Sequence, residues 1–380
     1  MSRIADFLYA AFRIGLLSAL QVEQRKAEAF AMSERMTRRT NRKLHRDARA
    51  DEPAHVAHAD RAPKASKSGD VVAGGTKRTI ALVYDFDGTL SPRPMQEYSF
   101  LPQLGIAASE FWAECTRVAR AESADPLITY MHLMYKKAKE KGLRVDREDL
   151  VAQGAAVELY PGVEAWFDAI ADYVAERAGV SGVNVRHYLV SSGLTEIIEG
   201  TKIYDKFDNV FASEYWFDAY DLPFPKRVIT DTGKTQYLFR INKGLEDQFQ
   251  SINTHMPENA RPIPFSNMIY FGDGETDVPS MALLKKNGGH AIAVHGALAD
   301  DTPPRKGANA KSGKKTKASS ASTASHSGLS KCIELFKAGR CDFYAAADYR
   351  AGSDLYKRTC LLLDRMIADI RVREEMARLG

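Results

Sequence analysis

The sequence predicts an α/β fold: a parallel sheet with helices on both faces and a block of helices inserted after the first strand. Three observations carry that expectation. The apolar, β-rich run Thr79-Ile80-Ala81-Leu82-Val83 reads as a buried parallel strand. From about Ser109 to Gly179 the pattern is helical throughout, and after Val183 strand-like and helix-like stretches alternate to the C-terminal region.

The first strand ends in Tyr84-Asp85-Phe86-Asp87-Gly88-Thr89-Leu90. Ligands of an open parallel sheet gather at the carboxyl ends of its strands, and here two acids stand there two residues apart. Gly88 permits a tight turn, and Thr89 adds a hydroxyl. Two carboxylates held this close repel each other unless a cation or a shared proton separates them. Alone, the pentapeptide is also compatible with an ordinary strand followed by an Asp-Gly turn.

Composition bounds the rest. A chain of 380 residues with 44% hydrophobic and 27% charged residues has room for two domains plus tails. Four cysteines, Cys115, Cys332, Cys341 and Cys360, show no Cys-x-x-Cys pair and no histidine nearby. They argue against structural zinc or a disulfide scaffold and for buried thiols in a reducing, cytoplasmic setting. The formal charge of +4 hides an asymmetry: residues 1–70 carry +5, residues 301–331 carry +6, and the remainder carries −7. The basic character belongs to appendages, which disfavours a nucleic-acid substrate for the folded body.

Along the chain, residues 1–75 divide into a helical stretch from Ile4 to about Met36 and a basic, solvated linker. Arg13 interrupts the apolar start, so no span reaches the ~20 residues of a transmembrane helix. An amphipathic helix on a membrane surface, on the body or on another chain fits the pattern. Ser91-Pro92-Arg93-Pro94 breaks regular structure after the first strand. Ser109 opens one helix, Asp125-Pro126 caps a second carrying Tyr130, Leu133 and Met134, and Pro161-Gly162-Val163 opens a third running to Gly179. Val183–Val190 is a strand ending in Ser191-Ser192-Gly193, with a helix start at Thr195. Asn209–Ala212 follows as a strand, Phe217–Thr232 as a hairpin or irregular excursion, and a helix opens at Lys234. Asn267–Phe271 is a strand ending in Gly272-Asp273-Gly274-Glu275-Thr276-Asp277, and helix 278–286 and strand 290–294 come next. Residues 299–330 are low-complexity and expected to be disordered, and a final helix from Ser353 to about Leu379 packs back on the sheet.

Polar groups thus recur where strands end: Asp85 and Asp87, Ser191, Lys234, then Asp273 and Asp277. Singly, Ser191 fits a helix cap, Lys234 a surface lysine and Asp273-Gly274 a turn. Their order on one sheet edge is harder to obtain by accident. Asp231-Thr232-Gly233-Lys234-Thr235 superficially matches a phosphate-binding loop, but Val228 occupies the position that needs glycine. The same stretch is also similar to an ion-pump phosphorylation site, although Asp85 at a strand end is better placed as a nucleophile. His132, His187, His255 and His290 lack ligand spacing and read as structural or surface residues.

With these residues in order, the chain resembles the haloacid-dehalogenase-like phosphohydrolase superfamily. The first motif is similar to Asp85-Phe86-Asp87-Gly88-Thr89, the second to Ser191, the third to Lys234 and the fourth to Gly272–Asp277. The resemblance covers about residues 78–299 and the last helix. It implies a Rossmann-like core at 76–95 and 184–298, a helical cap at 96–183, an insert at 299–330 and a completing segment at 331–380. The cap position is similar to that of the phosphoserine-phosphatase-like branch, and the Pro161-Gly162 entry to that family's return from the cap.

The resemblance further implies a Mg²⁺-dependent phosphomonoesterase. Asp85 would be the nucleophile, forming an aspartyl-phosphate, and Asp87 the general acid and then base. Asp85, the backbone carbonyl of Asp87 and Asp273 would hold Mg²⁺, with Asp277 orienting that shell from behind. Ser191, Ser192 and Lys234 would bind phosphate oxygens, and Lys234 would offset charge. Superfamily dehalogenases lack the second acid, so Asp87 points to phosphoryl chemistry. A small phosphorylated metabolite is the expected partner; Arg93, Gln96, Glu97 and Trp112 are candidates to line its pocket. Transfer to an alcohol instead of water, and a non-catalytic binding module on the same fold, are the alternatives.

Overall fold

The computed structural model describes residues 78–217, 224–296 and 319–379. The expected N-terminal helix and linker lie outside the described residues, as does most of the basic insert. Strand β1 (Thr79–Tyr84) is buried along all but its first residue and runs between two parallel neighbours. Five helices follow it: α1 (Phe100–Leu104), α2 (Ala108–Glu122), α3 (Pro126–Glu140), α4 (Arg147–Gln153) and α5 (Val163–Ala178). Then come β2 (Asn184–Leu194), α6 (Thr195–Glu199), β3 (Asn209–Trp216), β4 (Phe224–Arg227) and α7 (Gly233–Lys243). The chain continues with β5 (Met268–Gly272), α8 (Val278–Lys286), β6 (His290–His295), α9 (Ser319–Lys337), β7 (Phe343–Ala346) and α10 (Asp354–Leu379).

The sheet order is β4-β3-β2-β1-β5-β6-β7, parallel except for β4, which pairs antiparallel with β3. Side chains alternate across it, as the two-residue period of a strand requires. Ile80, Leu82, Tyr84, Leu189, Ile269 and Phe271 share one apolar cluster with α5 and α10. Ala81, Val83, Tyr188, Val190, Met268 and Tyr270 share the other with α7, α8 and Cys332 of α9. Both faces are therefore covered, which is why β1 is apolar at nearly every position.

Local chemistry explains the helices. Asp125 accepts from the amides of Leu127 and Ile128 (2.8 and 3.1 Å), and Pro126 occupies the first turn, where its missing N–H costs nothing. The face Tyr130, Leu133, Met134 of α3 is buried, as the spacing predicts. Helix α3 stands at the carboxyl end of the sheet, where Tyr130 donates to the Ser192 carbonyl and the Tyr215 hydroxyl donates to the Met131 carbonyl. Helix α5, by contrast, lies on the sheet. Trp166 donates from Nε1 to the Tyr84 hydroxyl at 2.9 Å and packs edge-on to Phe271. The helical block expected at 96–183 is thus divided, its last helix belonging to the packing of the core.

Two differences from the sequence reading have physical causes. Helix α9 begins at Ser319, inside the stretch expected to be disordered. Its far end carries Cys332, fully buried, whose Sγ lies 3.3 Å from the Val294 carbonyl; tertiary docking of that turn sustains a helix through a Ser/Ala run that composition alone reads as low-complexity. Strand β7 has four residues, too short for a periodicity signal, and is recruited as an edge by β6. The excursion after β3 is a hairpin as far as it is described, with Trp216 opposite Phe224. Among the described residues no helix is long and apolar enough to cross a membrane. All four cysteines are free and buried.

Candidate active site

The register of β1 with β5 sets Tyr84 beside Phe271, so both strands end at one level. The amide of Asp85 donates to the Phe271 carbonyl at 2.9 Å and brings its side chain beside the loop that follows β5. The chain then turns sharply: the amides of Thr89, Leu90 and Ser91 all converge on the Phe86 carbonyl (3.2, 2.8 and 3.1 Å). Gly88 adopts φ 80°, open to glycine at little cost. That turn brings Gly88 so close to Asp273 that a Cβ would lie 2.2 Å from Oδ2.

Asp85, Lys234 and Asp277 form the buried centre. Lys234 is 1% exposed and places Nζ 2.9 Å from Asp85 Oδ1 and 2.8 Å from Asp277 Oδ1. Asp277 is saturated: Oδ1 also accepts from the Tyr270 hydroxyl (2.8 Å), and Oδ2 from the amides of Asp273 and Gly274 (3.1 and 3.3 Å). It therefore fixes the lysine and the Asp273 loop together. Burial alone would push the lysine down, but Asp277 and Asp85 more than reverse this and hold its proton firmly.

The remaining acids sit in the opposite balance. Asp85 is pushed up to about 6 by burial, with Lys234 pulling it down and Asp277 adding repulsion. Asp273 is pushed up to about 8, again by burial first and then by Asp277 and Asp85. Asp87 is raised well above the carboxylate range by burial and by Asp85, against the Met95 amide, which donates to its Oδ1 at 2.9 Å. Asp85 keeps the lysine; Asp87 has no such cation in contact and holds a proton more readily.

An ionic fit follows from this donor set. Oxygens of Asp85, Asp273 and Asp277 lie within 4.8 Å of one another. Because Asp277 is already bound on both oxygens, the lone pairs left for an ion belong to Asp85 and Asp273. The carbonyl of Asp87 takes no part in the hydrogen bonds that close the turn on Phe86. An all-oxygen set with net negative charge and no sulfur or imidazole suits a small hard dication such as Mg²⁺.

Ser191 enters from β2 through a bulge. Pairing with β3 runs to Val190↔Phe211, breaks, and resumes at Leu194↔Ser213, leaving Ser191, Ser192 and Gly193 off the ladder. Ser191 is 1% exposed, and its Oγ accepts from the Gly193 amide at 3.0 Å, so its own proton stays free to donate. The expected source of amides, a helix N-terminus, is reduced to the five-residue α6. Ser192 departs further: its hydroxyl donates to the Ile229 carbonyl at 2.8 Å, so its proton is not available to a phosphate oxygen.

Three contributors escaped the sequence reading. Met95 bridges two motifs: its amide holds Asp87, and its Sδ lies 3.2 Å from the Leu194 amide. Its methyl occupies the space a side chain at Gly193 would need, a Cβ there lying 2.1 Å from Cε. Tyr270 anchors Asp277, and Tyr130 anchors the Ser191 loop. Glycine after Ser-Ser hinted at a close approach; nothing in the sequence marked a lone methionine. Of the four pocket candidates, Glu97 and Trp112 bind each other (2.7 Å), Gln96 is buried, and Arg93 is exposed. His187 and His290 are buried, and His132 and His255 are exposed.

The family model for haloacid dehalogenase-like hydrolase matches residues 82–282, more than half of the chain, spanning Asp85 to Asp277. An uncharacterized protein of Borreliella burgdorferi is 28% identical over 228 residues, 54% of this chain and 78% of that protein. Among solved structures, a HAD family hydrolase of Salmonella enterica serovar Typhi is 16% identical with a TM-score of 0.39, covering 58% of this chain and 62% of that one. A phospho-aspartyl intermediate analogue of phosphoserine phosphatase is 15% identical with a TM-score of 0.39, covering 57% of this chain and 87% of that one.

Proposed function

Because the chain belongs to the haloacid dehalogenase-like hydrolase family, we propose that it hydrolyses a small phosphomonoester through an aspartyl-phosphate on Asp85. The observation that carries this reading is the split between two neighbouring acids. Asp85 is paired with Lys234 at 2.9 Å, whereas Asp87 is tied only to a neutral amide and is raised well above the carboxylate range. One acid is thus ready to attack as the anion and the other ready to give up a proton.

The free oxygen of Asp85 attacks phosphorus, and the bond to the leaving oxygen breaks as Asp87 protonates it. Water then attacks the aspartyl-phosphate, Asp87 takes its proton, and inorganic phosphate departs with the Asp85 carboxylate restored. Lys234 uses two of its three donors on Asp85 and Asp277, leaving one for a phosphate oxygen. Ser191 Oγ offers its hydrogen to another. Mg²⁺, held by Asp85, the Asp87 carbonyl and Asp273, would neutralise charge between carboxylate and phosphate.

The test is release of phosphate from a generic aryl phosphate and a panel of small phosphorylated metabolites, with Mg²⁺ and with chelator. Activity is expected to require the metal and to fall by at least about a thousandfold in Asp85→Asn. Turnover that survives in Asp85→Asn would remove Asp85 as the nucleophile. Inertness of the unaltered chain on every ester would favour a binding module.

A further inference from the structure

In the loop between β7 and α10, Tyr349 is withdrawn from solvent, 1% exposed. Local chemistry shapes the loop around it. The Ala347 amide donates to the His295 carbonyl at 2.8 Å and carries the β6–β7 pairing one residue further. Asp348 then turns the chain: its amide donates to the Ala346 carbonyl (2.8 Å), and its Oδ1 accepts from the Arg350 amide (3.1 Å). Ser353 closes the turn, its Oγ donating to the Asp348 carbonyl and its amide to the Arg350 carbonyl. The Tyr349 ring meets Trp166 of α5 edge-on, with centroids 5.0 Å apart.

The two donors of Tyr349 reach both ends of a long detour. The chain leaves β1 through the turn at 85–91, passes through α1 to α4 and comes back at Tyr160-Pro161-Gly162. The Tyr349 hydroxyl donates to the Thr89 carbonyl on the outgoing limb, and the Tyr349 amide donates to the Pro161 carbonyl on the returning one, both at 2.8 Å. The limbs also meet directly, the Tyr160 amide donating to the Leu90 carbonyl at 2.9 Å. Gly162 permits this closeness: its φ is 85°, and a Cβ there would lie 2.4 Å from the Arg350 amide nitrogen. The amides of Thr89, Leu90 and Ser91 close on Phe86, so the carbonyls of Thr89 and Leu90 are where the turn is anchored from outside. Asp87 sits in that turn, two residues before Thr89, and its aim follows the backbone.

We propose that Tyr349 is a positioning residue for Asp87: it clamps the outgoing and returning limbs together and so holds the turn that presents this acid to the leaving group. The link to the leaving group rests on the phosphomonoesterase reading; the clamp does not. Two measurements on the full chain separate them. In Tyr349→Phe the ring and its contact with Trp166 remain, and the Thr89 carbonyl loses its donor. Amide hydrogen exchange in 86–91 and in 160–163 should then quicken together, by about tenfold or more, with β5 and β6 unchanged. Tyr173→Phe removes a comparable bond, to Asp364 at 2.9 Å between α5 and α10, and should leave both segments as protected as before.

The second measurement is kcat/KM, with Mg²⁺, for aryl phosphates of graded phenol acidity. A well-placed acid makes the rate nearly independent of the leaving phenol. Tyr349→Phe should restore that dependence, with losses of roughly ten- to hundredfold for the most basic phenol and less than about threefold for the most acidic. Gly162→Ala presses on the same contact from the other side and should reproduce both signatures; neither appearing there would count equally against the proposal. Unchanged exchange in Tyr349→Phe, or exchange raised in one segment alone, would overturn the clamp. Loosened segments with a loss equal for every phenol, or with no loss, would overturn its bearing on Asp87. Loosened segments in a chain that turns over no ester would uphold the clamp and defeat the phosphatase reading instead.

Discussion

At Gly88 the backbone has φ 80°, and a Cβ would meet Asp273 Oδ2 at 2.2 Å. Alanine there incurs the left-handed penalty and forces the Asp273 carboxylate to shift. Gly88→Ala should cost on the order of 2 kcal/mol in stability. It should also lower activity more than tenfold by displacing Asp273, the carboxylate proposed to hold the metal. Thermal melting and steady-state kinetics together check this. Full activity in a folded Gly88→Ala would show that Asp273 need not hold its place. The same scale explains what was readable. Asp85, Asp87, Asp273 and Asp277 follow strand ends and Lys234 opens a helix; each has an ordinary reading singly, and it was their order along the chain that made the site readable. Met95 acts through an amide and a thioether, which any residue or any buried methionine offers, so its role has no sequence signature.

At the scale of elements, α5 decides how the first strand is held. Trp166 is fully buried, meets Phe271 and Tyr349 edge-on, and donates to the Tyr84 hydroxyl, which in turn contacts His187 Nδ1 at 3.0 Å. Tyr84 immediately precedes Asp85, so this packing sets the strand that aims Asp85. Trp166→Ala should destabilise the chain by about 3–5 kcal/mol through the cavity it leaves. Trp166→Phe keeps most of the volume and should cost nearer 1–2 kcal/mol for the lost donor. Denaturant titration separates the two; equal losses would mean that the hydrogen bond, not the packing, dominates. The helical period made α5 legible, but not its partner. A helix entered through Pro161-Gly162 reads the same whether it closes over a cleft or lies on a sheet.

For the whole molecule, the sheet edge remote from the acids has its own electrostatic clasp. Asp342, just before β7, ties α8 to β6 through three partners: the Lys285 ammonium of α8, and the Ala291 amide at 2.9 Å and His290 Nδ1 at 3.3 Å, both of β6. Burial would push this carboxyl up, but hydrogen bonds from His290, Lys285 and Ala291 hold it down at about 2. Its folded value lies below the ordinary value of 3.8, so the unfolded chain binds more protons between the two. The stabilisation is complete above about pH 4 and is lost as the pH falls through about 2, an effect on the order of 2 kcal/mol. Asp342→Asn should lower stability at neutral pH and flatten its fall in acid. Denaturation curves of both proteins between pH 7 and 2 measure this, and parallel pH profiles would assign acid lability elsewhere.

The amino-acid sequence by itself determined the α/β class, the strand-end placement of the charged residues and the capped helix at Asp125-Pro126, because period, turn chemistry and capping are local properties. Tertiary structure alone decided that Asp277 is saturated by four donors, that Ser191–Gly193 leaves the ladder as a bulge, and that α5 joins the core. It also recruited β7 and the Ser/Ala stretch of α9. Each of these depends on which distant group fills a given space or lone pair, and a linear pattern carries no record of that.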